Sequence, residues 1–265
     1  LHAHLPAAEI ISLLENKVSS LGRVVSRKEI VDAVQSSLPC AWGPTKGATI
    51  SKPQSKWPTV DEGLRAKIIR DHGGLADLWE LSKPRIDDNE QRTEQIIDRL
   101  FPGNPLLCCG KSSSDFDTRP REEWRGELSK LQLIVPSQMS AETGLTKDGR
   151  ESKHTLNNTG DRRFLVCEFD RGTTDDHAGL LLHLAQYAPL VCVVHSGGKS
   201  LHGWFLVPGQ PDDKVTKFFR YAVSIGADPA TWTKSQFVRT PDGERDSGKR
   251  QTVYFLNFKV LEAKR

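Results

Sequence analysis

The segment FLVCEFD, residues 164–170, ends an apolar run on Glu168 and Asp170. In an extended strand alternate side chains share a face. Phe164, Val166, Glu168 and Asp170 therefore point one way, and Leu165, Cys167 and Phe169 the other. The second set is wholly apolar and belongs in a core. The first set ends in two carboxylates about 6–7 Å apart, which repel unless a cation stands between them. Mg2+ or Mn2+ suits such oxygen ligands. The alternative is a strand end opening into solvent, with Arg163 and Arg171 as neighbours.

Further on, CVVHSGGKSLHGWF (residues 192–205) sets a cationic corner between two apolar runs. Gly197 and Gly198 allow positive φ and close backbone approach, and their N–H groups can face an anion. Lys199 adds a point charge, Ser196 and Ser200 add hydroxyls, and His202 can donate to a phosphate oxygen. The set suits a polyphosphate. It is not a Walker loop, because the GxxxxGK[ST] spacing is absent and a strand follows. A hairpin turn with a packed histidine is the alternative. The stretch GADPATWTKSQFVRTP then offers Asp228, as the third carboxylate of a two-metal site or as a cap before Pro229. Arg239 follows on a short extended segment, placed to clamp a phosphate or to join a surface salt bridge.

The elements that must hold these residues read as follows. Apolar spacing predicts two helices over 7–38, the second opened by a Ser26/Glu29 capping box. They resemble either a helix-turn-helix unit or a packing pair. Residues 40–60 are rich in Gly, Pro, Ser and Lys and read as a loop; helices are predicted over 61–71 and 86–101. After PGNP the texture changes. LLCCG and LQLIVP read as strands and 140–161 as a loop. From 162 to 259 the order is βαββαβ, which predicts a ferredoxin-like or RRM-like sheet with helices on one face. The fold class is thus α+β, with a helical region over 1–102 and a catalytic domain over 103–265.

Composition excludes several classes. With 37% hydrophobic and 27% charged residues, the chain is neither a disordered tail nor a membrane protein. No apolar run approaches the ~20 residues that span a bilayer, and there is no secretory leader pattern. The five cysteines, Cys40, Cys108, Cys109, Cys167 and Cys192, show no CxxC spacing. They read as buried thiols in a reducing, cytoplasmic setting rather than as zinc ligands. Net charge is only +3, but Lys234, Arg239, Arg245, Lys249 and Arg250 crowd one stretch that can track a phosphate backbone. The chain starts at Leu1 and has one methionine, Met139, so a fragment of a longer protein is expected.

Three blocks now stand in order: CEFD, SGGKSLHGW, and GADPATWTKSQFVRTPDG with GKRQTVYFL. Together they resemble the archaeo-eukaryotic primase superfamily, in its primase-polymerase branch of plasmids, phages and bacteria. The resemblance covers about 103–259, and it rests on the combination rather than on any one block. It implies that Glu168, Asp170 and Asp228 bind two Mg2+ or Mn2+ ions. It also implies that His202, with Ser196, Gly197, Gly198 and Lys199, contacts the nucleotide phosphates, and that Arg239 is a further nucleotide contact. One departure is that the first block is Glu-x-Asp, where many relatives have Asp-x-Asp or Asp-x-Glu. The implied activity is template-dependent nucleotidyl transfer, as DNA primase or DNA polymerase. The implied partners are single-stranded DNA template and primer, nucleoside triphosphates, and a replicative helicase domain or protein; no membrane is involved. The competing expectations are a metal-dependent nuclease and a non-catalytic nucleic-acid- or nucleotide-binding module of replication initiation.

Overall fold

The structure, a computed structural model, describes residues 7–19, 26–37, 57–84 and 91–262. The chain forms two compact units, Leu1–Gln54 and Ser55–Arg265. The first holds α1 (Ala7–Ser19) and α2 (Arg27–Ser37). The capping box is present: the Ser26 N–H donates to Glu29 Oε2 at 2.9 Å, and the Glu29 N–H to Ser26 Oγ at 3.3 Å. Most of the loop expected over 40–60, and Cys40, lie outside the described residues.

The second unit opens with α3 (Glu62–Asp71), α4 (Leu75–Leu81) and α5 (Thr93–Leu100). Asp61 caps α3 by accepting the Leu64 N–H at 2.9 Å. The sequence pattern did not give α4. The unit division falls at 54/55, so these helices belong with the β-rich part and not with α1 and α2. The physical reason is burial: Ile68 and Leu78 enter one core, and Ile96, Ile97 and Leu100 enter another.

The strands that follow are β1 (Leu106–Gly110), β2 (Phe116–Pro120), β3 (Leu133–Ile134), β4 (Gly144–Leu145) and β5 (Glu151–Ser152). Next come β6 (Phe164–Glu168), α6 (Thr174–Leu184), β7 (Leu190–His195) and β8 (Leu201–Leu206). The chain ends with α7 (Asp212–Ser224), β9 (Val238–Arg239), β10 (Val253–Leu256) and α8 (Lys259–Glu262). Within the stretch expected as a loop, β4 and β5 make a small hairpin. Its base is tied by Asn158, whose amide donates to the Ala141 and Lys153 carbonyls.

Two four-stranded sheets result, in the orders β2-β1-β3-β9 and β10-β7-β8-β6. All their pairings are antiparallel. The unit is therefore α+β. In the second sheet β6 and β7 run parallel with β8 inserted between them, a split βαβ arrangement. The expected ferredoxin-like closure would set the last strand beside β6; here β10 lies beside β7. The connection from α7 to β10 first visits the other sheet as β9, which is why the closing strand enters from the far edge.

Both faces of this sheet are buried, so its strands read as continuous apolar runs such as LVCVV. Leu165, Cys167 and Phe169 pack with α6 and α7 in one core. Phe164, Val166 and Trp204 pack with α5, β1 and Trp124 in the other. The alternation expected for residues 164–169 holds, with both faces dry instead of one. Four cysteines, Cys108, Cys109, Cys167 and Cys192, are free and buried. Burial pushes the Cys108 thiol up to about 12, which makes it inert as a nucleophile or ligand.

A polar chain crosses the outer side of the first core. His72 Nδ1 lies 3.1 Å from the Ile68 carbonyl, and its Nε2 is 3.1 Å from His183 Nδ1. His183 Nε2 lies 2.6 Å from the Tyr221 hydroxyl. One proton assignment satisfies every pair, and in it both imidazoles are neutral: each donates from Nδ1 and accepts at Nε2. Burial, and then the neighbouring His72, hold the His183 pKa below its ordinary value. The unfolded chain takes up a proton near pH 6.5 that the fold resists, so this contribution is complete above that pH and is lost below it. His154, His177 and His195 are also lowered, chiefly by burial. The melting temperature should therefore fall between pH 7.5 and 5. His183→Gln should show a shallower fall in thermal scans, and equal slopes for the two proteins would refute the linkage.

Candidate active site

Glu168 is the last residue of β6, and in the β6–β8 register it stands directly opposite His202. Past it the chain does not fray. Phe169 bridges Ala227 in antiparallel fashion, and the Asp228 N–H donates to the Glu168 carbonyl at 2.8 Å. This short ladder carries Asp228 to the end of β6. Asp228 also caps the 3-10 turn Pro229–Trp232 by accepting the Ala230 N–H at 2.9 Å. Capping and convergence are thus not alternatives; the cap orients the residue.

The electrostatics of the three acids are unequal. Burial raises the Asp170 carboxyl, and the charges of Glu168 and Asp228 raise it further. Burial also works on Glu168, but there it is outweighed by His202, the Ser200 hydroxyl and Arg239, which hold its carboxyl below the ordinary value. His202 is 3% exposed. Its Nε2 lies 3.3 Å from Glu168 Oε1, an ion-pair contact outside strict hydrogen-bond geometry, and its buried Nδ1 has no hydrogen-bond partner.

Ser200 donates to Glu168 Oε1 at 3.1 Å. The sequence reading counts the hydroxyls of both Ser196 and Ser200 in the polyphosphate corner, without linking Ser200 to Glu168. The signal was present in the alternation Ser200-Leu201-His202, which sets the hydroxyl and the imidazole on the same side. Ser196 serves the turn itself: its Oγ accepts the Gly198 N–H at 3.3 Å and the Ser200 N–H at 3.2 Å. The Gly197 N–H meets His195 Nδ1 at 3.3 Å. The glycine amides expected to face an anion are therefore held within the loop by long bonds. Gly198 and Lys199 are exposed.

Gly197 has φ 70°, and a Cβ there would lie 3.0 Å from Arg245 Cδ. Arg245 belongs to the turn beyond β9, where the Arg245 N–H bonds the Lys249 carbonyl at 3.0 Å. Its Nη1 donates to the Ser196 carbonyl at 3.3 Å. Nothing in the sequence beyond its place in a basic stretch marked it. Arg239 comes from the other sheet, paired with Leu133 across β3 and β9. Burial lowers its pKa, as does Arg245, while Glu168 and Asp246 oppose this. Gln132 steers it: Arg239 Nη1 donates to Gln132 Oε1 at 3.0 Å, and Gln132 Nε2 donates to Asp246 Oδ2 at 2.8 Å. That turn is anchored by Asp242, which has φ 63° and is 2% exposed. Asp242 Oδ1 accepts Arg250 Nε at 2.6 Å, and its carbonyl accepts Thr93 Oγ1 at 2.7 Å.

The site thus opposes carboxylates on one side with guanidiniums on the other. Carboxylates placed so that the charges of Glu168 and Asp228 raise Asp170 offer oxygen donors of the kind a hard divalent cation takes. Among the described residues, no three His, Cys, Asp or Glu side chains stand close enough together, as placed, to hold a metal ion. An apolar cavity of about 550 Å³ between Tyr187, Phe218 and Tyr221 adjoins Leu206, at the other end of β8. Among the described residues no helix is long and apolar enough to cross a membrane.

No family model matches the sequence, and no curated protein or solved structure matches it significantly.

The convergence of the acids has a direct readout. Removing one neighbouring charge, in Glu168→Gln or Asp228→Asn, should lower the Asp170 pKa toward its ordinary value. Carboxyl-carbon NMR titration measures this. An Asp170 curve unmoved in both variants would mean that the acids do not sense one another.

Proposed function

We propose that this protein is a template-dependent nucleotidyltransferase, a DNA primase or polymerase of the archaeo-eukaryotic primase type, and that its second sheet is a variant of the RRM-like core of that family. The observation that carries the reading is that the Asp228 N–H bonds the Glu168 carbonyl, bringing Asp228 from a separate segment within electrostatic reach of Asp170, with His202 3.3 Å from Glu168. Two Mg2+ or Mn2+ ions held by those acids would activate a primer 3′-hydroxyl and neutralise the leaving pyrophosphate. The other groups then have distinct tasks. Ser200 fixes one oxygen of Glu168 through its hydroxyl. His202, 3.3 Å from Glu168 and with an Nδ1 that makes no hydrogen bond, is able to meet a phosphate oxygen. Arg239, held by Gln132, offers its remaining donors to the triphosphate. Arg245 and Lys199 border the glycine corner, where they can neutralise charge that grows on the β- and γ-phosphates. Single-stranded DNA template and primer are the partners, and a helicase domain or protein is a partner by family analogy.

A nuclease would also use such carboxylates, but it has no use for a cationic corner shaped for a triphosphate tail. With Mn2+, single-stranded template and nucleoside triphosphates, the protein should yield primer or extension products and leave the template intact. Asp170→Ala should give no product while still binding DNA. Full activity in that variant, or degradation of the template by the unaltered protein, would sink the assignment. Arg239→Ala should raise KM for the nucleotide about tenfold or more, the worth of one charge-assisted contact. An unchanged KM in steady-state incorporation assays would remove Arg239 from the nucleotide site.

A further inference from the structure

Arg65 lies on α3, outside the blocks that carry the family resemblance, and is 6% exposed. A buried guanidinium needs partners, and these are two main-chain carbonyls. Nη1 donates to the Ile225 carbonyl at 2.9 Å, and Nη2 donates to the Arg171 carbonyl. Arg171 directly follows Asp170, and Ile225 opens the turn that leads to Asp228. The two acid-bearing turns are therefore held by one side chain.

Both turns are also shaped around it. Gly172 and Gly226 have φ of 108° and 105°. A Cβ at Gly226 would lie 2.7 Å from Arg65 Nη1, and one at Gly172 3.1 Å from Nη2. The guanidinium carbon stands 5.8 Å from the centre of the Phe169 ring. Phe169 is the residue between Glu168 and Asp170, and it bridges Ala227. Arg65 reaches both acid-bearing turns directly through main-chain carbonyls. A lysine, with a single ammonium, cannot reproduce a planar fork that reaches two carbonyls.

We infer that Arg65 is a positioning residue that sets the separation of Asp170 and Asp228, and with it the affinity of the site for divalent cations. The inference rests on the proposed function. Three variants test it: Arg65→Ala, Arg65→Lys, and Gly226→Ala, which leaves Arg65 in place but presses a methyl group onto it. Mn2+ alone is titrated by calorimetry, and nucleotide incorporation is then followed against Mn2+ concentration. Circular dichroism and melting curves identify any variant that does not fold. In each folded variant, half-saturation by Mn2+ should rise on the order of tenfold, the usual effect of disturbing groups behind metal ligands. KM for the nucleotide at saturating Mn2+ should stay near that of the unaltered protein, and Arg65→Lys should not restore Mn2+ affinity. A merely structural role would lower the melting temperature and leave Mn2+ half-saturation unchanged, and that result overturns the inference while the function stands. An unaltered protein that neither binds Mn2+ nor incorporates nucleotide overturns the function itself.

Discussion

The hydrogen bond from the Asp228 N–H to the Glu168 carbonyl, 2.8 Å long, is the contact on which the site depends. It extends β-type pairing beyond the formal end of β6 and converts a sequence-distant Asp-Pro turn into a neighbour of the first two acids. Like charges do not gather by themselves. Mutual repulsion among Glu168, Asp170 and Asp228 has to be overcome by the backbone, which is why the convergence sits on a sheet end whose two faces are filled by separate cores. Burial first, and then the charges of Glu168 and Asp228, raise the Asp170 carboxyl.

The cationic side of the site has a different origin. Arg239 and Arg245 come from β9 and the turn after it, parts of the chain that visit the first sheet before β10 returns to the second. The detour that alters the expected strand order is thus the same detour that delivers guanidiniums to the carboxylates. Gln132, from the segment before β3, fixes Arg239 and Asp246 together. The carboxylates of the second sheet and the guanidinium of Arg239 on the first are in this way brought to act on one another.

Much of this was legible in the residues. Alternation in FLVCEFD gave the facing of Glu168 and the apolar character of Leu165 and Cys167, because a strand's period of two survives any tertiary context. Helical spacing gave α6 and α7, and capping chemistry gave the start of α2. The short elements were not legible. β2, FDTRP, has neither alternation nor β-branched density beyond Thr118, and it is a strand because β1 offers it a partner. α4 is a single short stretch whose identity comes from burying Leu78. Long-range polar partners were equally hidden: Ser200 with Glu168, Gln132 with Arg239, and Arg245 over Gly197 depend on distances that spacing along the chain does not encode. The turn bonds of Ser196 were hidden for a related reason, since a hydroxyl beside two glycines serves their turn as readily as it serves a ligand.

Asp242 joins regions that otherwise have no common task. Its left-handed backbone costs about 1 kcal/mol and persists because Arg250 holds its carboxylate and Thr93, at the start of α5, holds its carbonyl. The rim that bears Arg245 and Lys249 is thus tied to a distant helix. A lesion at the α5 start, far along the chain from every motif, would consequently loosen that rim in a molecule whose sheets remain whole.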